Sequence, residues 1–515
     1  MMKLAEKRLC TGCGLCEQIC PAGAVAMIPD ALTGFLYPQV CMDICIDCGL
    51  CTENCPELHK NYYPENFEQE VYSAIARSDE IRITSTSGGI FPLLARQILR
   101  LGNSAVIGAA YDEQHDLRHM MIQDEKELAK LIRSKYAQSD IRGVFFDIED
   151  SLKKGWNVLF CGTPCQVSAV RNYCVSCENK EKLFLVDLFC RGVPSLKAQK
   201  LYLEQIEKEK GSKVISMSSK DKTYGWRSLG TRYDLADGSY FIELAEDCDL
   251  ARSYIELDYC TRDSCFSCGY KNQERISDIS IGDFWGLKES ELDDDFGVSA
   301  VLINTQKGRN LFDKILEDIR FECRTFQEAA GNGAFVPLRE NERERQRFWK
   351  LLGNHDYRTA VKLAEYEEIK KTQGTLLYES KRFQKKYLLL YQWMQLKQNH
   401  VSLTEFFDKR GISSVAIYGA GELGKLLYNE LSHRTGLVKY ILDKDAEQID
   451  QESLKIPVYT LADERVHSVD MVVITLVNAD EVKTSIQKYF SGQQIVGIGA
   501  VLSDLCKNYE LNTFL

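Results

Sequence analysis

No stretch of this chain approaches eighteen consecutive apolar residues, so no membrane-crossing helix is expected. The opening Met1-Met-Lys-Leu-Ala-Glu-Lys-Arg8 has no apolar run behind it, so no signal peptide is expected and a cytoplasmic protein is. An excess of basic charge is missing too. Against 75 Asp and Glu stand only 64 Lys and Arg, a formal net charge of -11, which argues against a nucleic-acid-binding face. Low-complexity tracts are absent, and the one internal repeat is a short cysteine-rich duplication. Cysteine is what the chain has in quantity, twenty residues of 515. Without an export signal these thiols are expected to stay reduced, and most stand at metal-ligand spacing. The length itself suggests three or four domains.

The duplication reads Cys10-Thr-Gly-Cys13-Gly-Leu-Cys16-Glu-Gln-Ile-Cys20-Pro21 and Cys45-Ile-Asp-Cys48-Gly-Leu-Cys51-Thr-Glu-Asn-Cys55-Pro56. Each half is the C-x2-C-x2-C-x3-C-P run that wraps a 4Fe-4S cluster, with the fourth cysteine serving the other cluster. On that pattern one cluster takes Cys10, Cys13, Cys16 and Cys55, and the second takes Cys45, Cys48, Cys51 and Cys20. Paired C-x2-C motifs also suit tetrahedral zinc, but two matching runs each closed by proline favour iron. Cys41 falls outside the pattern. Residues 1–60 resemble the bacterial two-cluster ferredoxins.

Residues 57–84, with Asn61-Tyr-Tyr-Pro64, read as a linker. Thr84-Ser-Thr-Ser87-Gly88-Gly89 then runs into an amphipathic helix from Ile90, a start that suits a phosphate, or that is a plain helix cap. From Ser104 to about Gly211 strands and helices alternate, which predicts a parallel sheet with helices on its faces. Two strand ends carry cysteines, Phe160-Cys161-Gly-Thr-Pro-Cys165-Gln and Phe189-Cys190-Arg-Gly-Val-Pro-Ser195, where cofactors bind in open parallel sheets. A hairpin is expected at Asp237-Gly238. Cys260-Thr-Arg-Asp-Ser-Cys265-Phe-Ser-Cys268 and Asp278-Ile-Ser-Ile-Gly-Asp-Phe-Trp285 follow.

Ser87-Gly-Gly, Arg133-Ser-Lys135-Tyr136 with Gln138-Ser139, Gly162-Thr-Pro-Cys165-Gln, Phe189-Cys190, Ser264-Cys265-x-x-Cys268 and Asp278 to Trp285 together resemble one family. It is the beta subunit of the archaeal deazaflavin-coenzyme-dependent hydrogenases and dehydrogenases, with a bacterial branch often fused to a ferredoxin. The resemblance runs over residues 67–350. It implies a flavin, expected to be FAD, and a third 4Fe-4S cluster on Cys165, Cys190, Cys265 and Cys268. Cys161 is the leading substitute for Cys165, with Cys260 and the Cys174-x2-Cys177 pair as weaker competitors. For the flavin it points to Ser87, Gly88 and Gly89 at the phosphates, with Arg133 and Lys135 as nearby cations.

Residues 351–401 read as a charged helical connector, and Arg339, Arg343, Arg345 and Arg347 beside it as solvated. The apolar Tyr387-Leu-Leu-Leu-Tyr-Gln-Trp-Met is expected to pack on a neighbouring domain. Residues 402–515 open with a strand, then Gly419-Ala-Gly421-Glu-Leu-Gly424 and a helix. A second strand ends at Asp443, the acid that would hold a ribose in a Rossmann-like nucleotide-binding domain. The ligand there is expected to be NAD or a nucleotide sugar.

The sequence thus predicts a multidomain α/β protein: a ferredoxin-like two-cluster module, an α/β flavin and iron-sulfur domain and a small Rossmann-like domain. Its function is expected to be that of an iron-sulfur flavoprotein oxidoreductase. Electrons would pass from ferredoxin or another redox protein through the clusters to the flavin and a small-molecule substrate or acceptor. The alternative is an electron-transfer subunit that serves a partner enzyme and has no substrate of its own.

Overall fold

Two compact units, Met1–Tyr366 and Glu367–Leu515, make up the computed structural model of the chain. It describes residues 4–59, 67–331, 333–450, 454–476 and 479–511. The Asn61-Tyr-Tyr-Pro64 part of the expected linker lies outside the described residues. No helix among the described residues is long and apolar enough to cross a membrane.

In the first unit, the repeated Gly-Leu-Cys of the duplication starts a one-turn helix each time, α1 (Leu15–Gln18) and α2 (Leu50–Glu53). Gly14 and Gly49 sit at the N-caps with φ of 74° and 78°, a left-handed conformation that glycine adopts without steric cost. Between them β1 (Val25–Pro29) and β2 (Leu36–Val40) form an antiparallel hairpin.

The rest of the unit is built on an eight-stranded sheet. In chain order come β3 (Glu70–Ala76), α3 (Ile90–Leu99), β4 (Ser104–Tyr111), β5 (Leu117–Ile122), α4 (Val144–Lys153), β6 (Asn157–Gly162), α5 (Pro164–Tyr173), β7 (Leu183–Leu188) and α6 (Leu196–Lys210). A three-stranded antiparallel meander interrupts it: β8 (Val214–Asp221), β9 (Gly230–Leu235) and β10 (Tyr240–Glu243), the last two joined at the expected Asp237-Gly238 turn. The chain returns through β11 (Ile279–Asp283), β12 (Ser299–Ile303) and β13 (Ile319–Cys323).

Strand order is β13-β3-β12-β11-β7-β6-β4-β5. The four central strands β11, β7, β6 and β4 run parallel, and the outer ones are antiparallel. The expected parallel sheet is therefore present, widened by strands that arrive a hundred residues later. Helix α3 closes one face by burying Leu93, Leu94 and Ile98. On the other, α4 and α5 cover Val158 and Phe160 with Phe145, Ile148, Val167 and Val170.

The arginine-rich stretch differs from its expected solvated form. Helix α7 (Glu342–Leu352) buries Phe348, Trp349 and Arg345. The Arg345 guanidinium donates to the Thr261 carbonyl and to Asp263, and lies over the Phe266 ring, so it braces a loop of the middle domain. Helix α8 spans Tyr357–Gln398.

In the second unit, β14 (Val415–Tyr418), α9 (Glu422–Ser432), β15 (Val438–Leu442), β16 (Val458–Tyr459), β17 (Met471–Ile474) and β18 (Gln494–Gly497) lead to α10 (Ile498–Asn508). All five strands are parallel, in the order β16-β15-β14-β17-β18, with the first strand central as in doubly wound sheets. Leu389, Trp393 and Leu396 enter its core, whereas Tyr387, Leu390 and Met394 stay exposed, so the apolar Tyr387–Met394 stretch packs by one face only.

Candidate functional site

Cys10, Cys13, Cys16 and Cys55 line one cavity together with Gly14, Leu15 and Pro56. A second is lined by Cys20, Cys45, Cys48 and Cys51 with Ala22, Ala24 and Ile46. The sulfurs are thus grouped three from one run and one from the other, as the crossed pattern expects. Among the described residues no three His, Cys, Asp or Glu side chains converge tightly enough to hold a single ion. Four soft thiols walling one cavity fit the four-thiolate ligand set of a 4Fe-4S cluster. Burial pushes the Cys13 thiol up to about 12, with Cys10 and Cys55 adding to the rise. Burial likewise raises Cys16, and Cys13, Cys10 and Cys55 reinforce it. Cys13, Cys16 and Cys55, all raised by burial, resist ionisation until a metal deprotonates them.

A third group of cysteines meets at the carboxyl ends of β6 and β7. Cys165 sits in the first turn of α5, placed by a capping box: Thr163 is the N-cap and Gln166 accepts its backbone N–H at 3.0 Å. Pro164 occupies the first helical position, where the missing N–H costs nothing. Gln166 also donates to the Ser139 carbonyl at 3.0 Å, which ties two of the sequence motifs together. Cys190 follows β7, and Cys265 lies in the 3-10 turn Asp263–Ser267 just before Cys268. An antiparallel bridge between Pro194 and Thr261 joins the two loops, and the Arg262 N–H donates to the Val193 carbonyl at 3.0 Å. A side chain at Gly192 would stand 3.2 Å from the Cys265 Cβ, so glycine lets the loops close.

Burial raises the Cys165 thiol well above its ordinary value, and Cys190, Cys268 and Cys265 add to it. Burial pushes Cys190 up to about 12, again with Cys265 and Cys268 contributing. These four are neighbours. Cys161 is not of their number: after burial its charged neighbours are Asp187 and Lys135. Cys260 faces Ser253 in the core, and Cys174 and Cys177 face each other.

Arg262, which sequence reasoning passed over, links the first and third groups. It is almost wholly buried and donates Nε to the Cys10 carbonyl at 2.9 Å, Nη2 to the Leu36 carbonyl at 2.9 Å and Nη1 to Gln138 at 2.8 Å. Its guanidinium lies over the Phe35 and Tyr37 rings. Gln138 in turn donates to the Thr11 carbonyl at 2.7 Å. Cys13 and Leu15 share one apolar cluster with Cys165 and Cys268. Asn172 of α5 donates to the carbonyls of Asn54 and His59 at either side of Cys55. Lys271, also unforeseen, is a cation beside Cys268, Cys190 and Cys265.

The expected flavin contacts fall in two places. Ser87 donates to the Val298 carbonyl, Gly88 N–H to Ser299, and a side chain at Gly88 would stand 2.2 Å from the Ala74 carbonyl. Arg133 is engaged with the Thr84 and Ile83 carbonyls, Ser218 and Asp221. Lys222 supports the same turn through the carbonyls of Arg82, Ser87 and Phe296. These groups shape the loop. What they leave is the start of α3, capped by Gly89 with no side chain, and the buried Ser85 Oγ and Arg82 Nε, which have no partner among the described residues.

Lys135 lies apart from them, near Cys161 and His119. Its Nζ donates to the Ile132 carbonyl at 2.6 Å, and burial brings its pKa down to about 7. His119 donates Nε2 to the Cys161 carbonyl at 2.9 Å, and burial lowers it to about 4. Nδ1 of His119 and one oxygen of Asp187 are buried without partners among the described residues. The other Asp187 oxygen is paired with buried Arg275 at 2.7 Å.

In the second unit, Gly419 has φ of 105°, and a side chain at Gly424 would stand 1.8 Å from the Gly419 carbonyl, so both glycines are needed for close helix-strand packing. Gly421 faces open space. One Asp443 oxygen accepts the Ala420 N–H at 2.7 Å and the other the Asp445 N–H at 3.0 Å. Thr475, not foreseen, donates to the Tyr418 and Gly419 carbonyls at 3.0 Å.

Comparison with known proteins identifies two segments. Residues 9–59 match the 4Fe-4S dicluster domain. Residues 155–329 match the carboxyl-terminal part of the family "Coenzyme F420 hydrogenase/dehydrogenase, beta subunit". No curated protein matches the chain. Among solved structures, a chain of the F420-reducing [NiFe] hydrogenase complex from Methanosarcina barkeri is 18% identical. The alignment covers 56% of this chain and 95% of that one, with a TM-score of 0.39.

Proposed function

Since the chain joins a 4Fe-4S dicluster domain to the carboxyl-terminal domain typical of hydrogenase/dehydrogenase beta subunits, we propose that it is an iron-sulfur flavoprotein oxidoreductase. One-electron donors feed the ferredoxin module, and a two-electron organic acceptor is reduced at the far end, or the reverse reaction runs. The observation that carries this reading is the joint at Arg262, which sets the Cys10 run against the loop of Cys265.

Cys10, Cys13, Cys16 and Cys55 hold the inner ferredoxin cluster, and Cys20, Cys45, Cys48 and Cys51 the outer one. Cys165, Cys190, Cys265 and Cys268 hold the third. When bound, clusters carry single electrons and a flavin exchanges one or two, which couples one-electron donors to a two-electron acceptor. FAD is the flavin expected, with its phosphates at the Gly89 start of α3 beside Ser87 and Arg133, where Ser85 Oγ and Arg82 Nε supply donors. Lys135, buried with a pKa near neutrality, holds a proton that can accompany the electrons. Lys271 adds positive charge beside the third thiol group and so favours its reduced state.

The second unit is proposed to be a Rossmann-like nucleotide-binding domain. Gly421 leaves room for a pyrophosphate, and the Asp443 carboxylate has lone pairs to spare for a ribose after its two backbone contacts. NAD or a nucleotide sugar would fit that chemistry.

The test is anaerobic reduction of the holoprotein with dithionite-reduced ferredoxin, freed of excess dithionite, followed by absorbance of clusters and flavin. In wild type both bleach. In the Cys190→Ser variant the ferredoxin clusters still bleach while the flavin stays oxidised; flavin reduction at the wild-type rate would refute the electron order.

A further inference from the structure

The two ferredoxin cysteine groups differ in what surrounds them. The Cys10 group is covered by the middle domain through Arg262, Gln138 and Asn172. The Cys45 group faces outward, with Cys48 itself exposed. Beside it four apolar side chains lie open within nine residues: Met42 63%, Ile44 50%, Ile46 66% and Leu50 36% exposed. Single exposed apolar residues are ordinary, but a run of them over a redox site marks an interaction surface.

Charge narrows the partner. From Cys20 to Pro56 the chain has Asp30, Asp43, Asp47 and Glu53 and no Lys or Arg. Asp30 is neutralised by Lys7, which leaves Asp43, Asp47 and Glu53 exposed among the apolar residues. A cluster held by four thiolates adds further negative charge. Such a face repels an acidic protein and attracts a basic one.

We propose that the Met42–Leu50 face docks a separate one-electron carrier protein whose redox centre opens on an apolar patch rimmed by Lys and Arg. This rests on the cluster assignment above. One electron crosses between the carrier's metal centre and the Cys20/Cys45/Cys48/Cys51 cluster, one centre oxidised by one as the other is reduced by one, with no bond made or broken. Contacts of this kind are small and short-lived, below about 1,200 Å² in total, and their association rates fall with salt.

A basic c-type cytochrome is the probe. Its affinity for the oxidised holoprotein is measured by calorimetry at low salt, and its reduction by the dithionite-reduced protein by stopped flow. Asp43→Lys and the double variant M42S/I44S touch neither cavity, and iron content checks that both clusters are retained. Asp43→Lys should cut the bimolecular rate about tenfold at low salt, an effect that vanishes at high salt. M42S/I44S should weaken binding at least about fivefold at any salt, while reduction by dithionite stays unchanged in both. Wild-type affinity and rate in the two variants would overturn the docking face, as would loss of a dimer in M42S/I44S with cytochrome reactivity intact, which would make the patch a self-association surface. Failure of the cluster reading would show separately, as a wild-type protein lacking iron at the ferredoxin module.

Discussion

Arg262 donates its Nε–H to the carbonyl of Cys10 at 2.9 Å, so a single buried arginine fastens the first ferredoxin cysteine to the loop that carries Cys265. A side chain at Gly12 would stand 2.7 Å from the same guanidinium, so the fit tolerates no added carbon. The ferredoxin run and the Cys260–Cys268 loop are thereby built for each other.

Arg262→Met should therefore leave all iron bound yet slow the passage of electrons from the ferredoxin module to the third group at least about tenfold. Each hydrogen bond to a charged group contributes roughly 1.5–3 kcal/mol, and the variant loses those to Gln138 and to the Cys10 and Leu36 carbonyls. Rapid-freeze spectra after mixing with a one-electron donor would show the ferredoxin clusters reduced first and a lag in the third. An unchanged time course would show that the joint does not govern transfer.

Cys161 stands at the end of β6 and Cys165 in the first turn of α5, and only Cys165 neighbours Cys190, Cys265 and Cys268. Cys165→Ser should lower the iron content by about four per chain, and Cys161→Ser should leave it as in wild type. The opposite pattern would exchange their roles.

Lys271 sets a positive charge beside three cysteines of the third group. Lys271→Met should lower the reduction potential of that cluster by roughly 30–60 mV, under about 1.4 kcal/mol for one electron. A redox titration followed by electron paramagnetic resonance reads the shift. A potential that does not move would place the lysine too far away to matter.

His119, stacked on Phe160, is held neutral by burial, its pKa brought from 6.5 to about 4. Between those values the unfolded chain binds a proton that the folded one does not. The stability tied to this group is complete above pH 6.5 and falls as pH drops towards 4, by at most roughly 3 kcal/mol. His119→Phe should flatten that acid limb. Melting temperatures at pH 5 and 7 test it: the gap should be smaller in the variant, and an equal gap would refute the assignment.

How much of this could be read from the sequence follows from the distance over which each feature acts. Three cysteines of each ferredoxin group stand close together in one run and the fourth comes from the matching run, so the repeat itself made their grouping legible. The third group needed the Pro194 to Thr261 bridge to bring residues seventy positions apart together, and resemblance supplied what local pattern could not. Arg262 and Arg345 looked like solvated or unremarkable charges, because each acquires its role from a distant partner, Cys10 in one case and Asp263 in the other. Ser87 and Arg133 were expected at a ligand, yet their hydrogen-bonding groups are committed to the loop around them. Lys222, which holds the same turn by three carbonyls, gave no local signal.

The most direct test of the central claim is iron, sulfide and flavin content per chain in protein purified without oxygen. Three clusters predict about twelve irons, four to each cluster, together with about one flavin. About eight irons and no flavin would contradict the account: the ferredoxin module would stand, and the middle domain would carry no redox chemistry of its own.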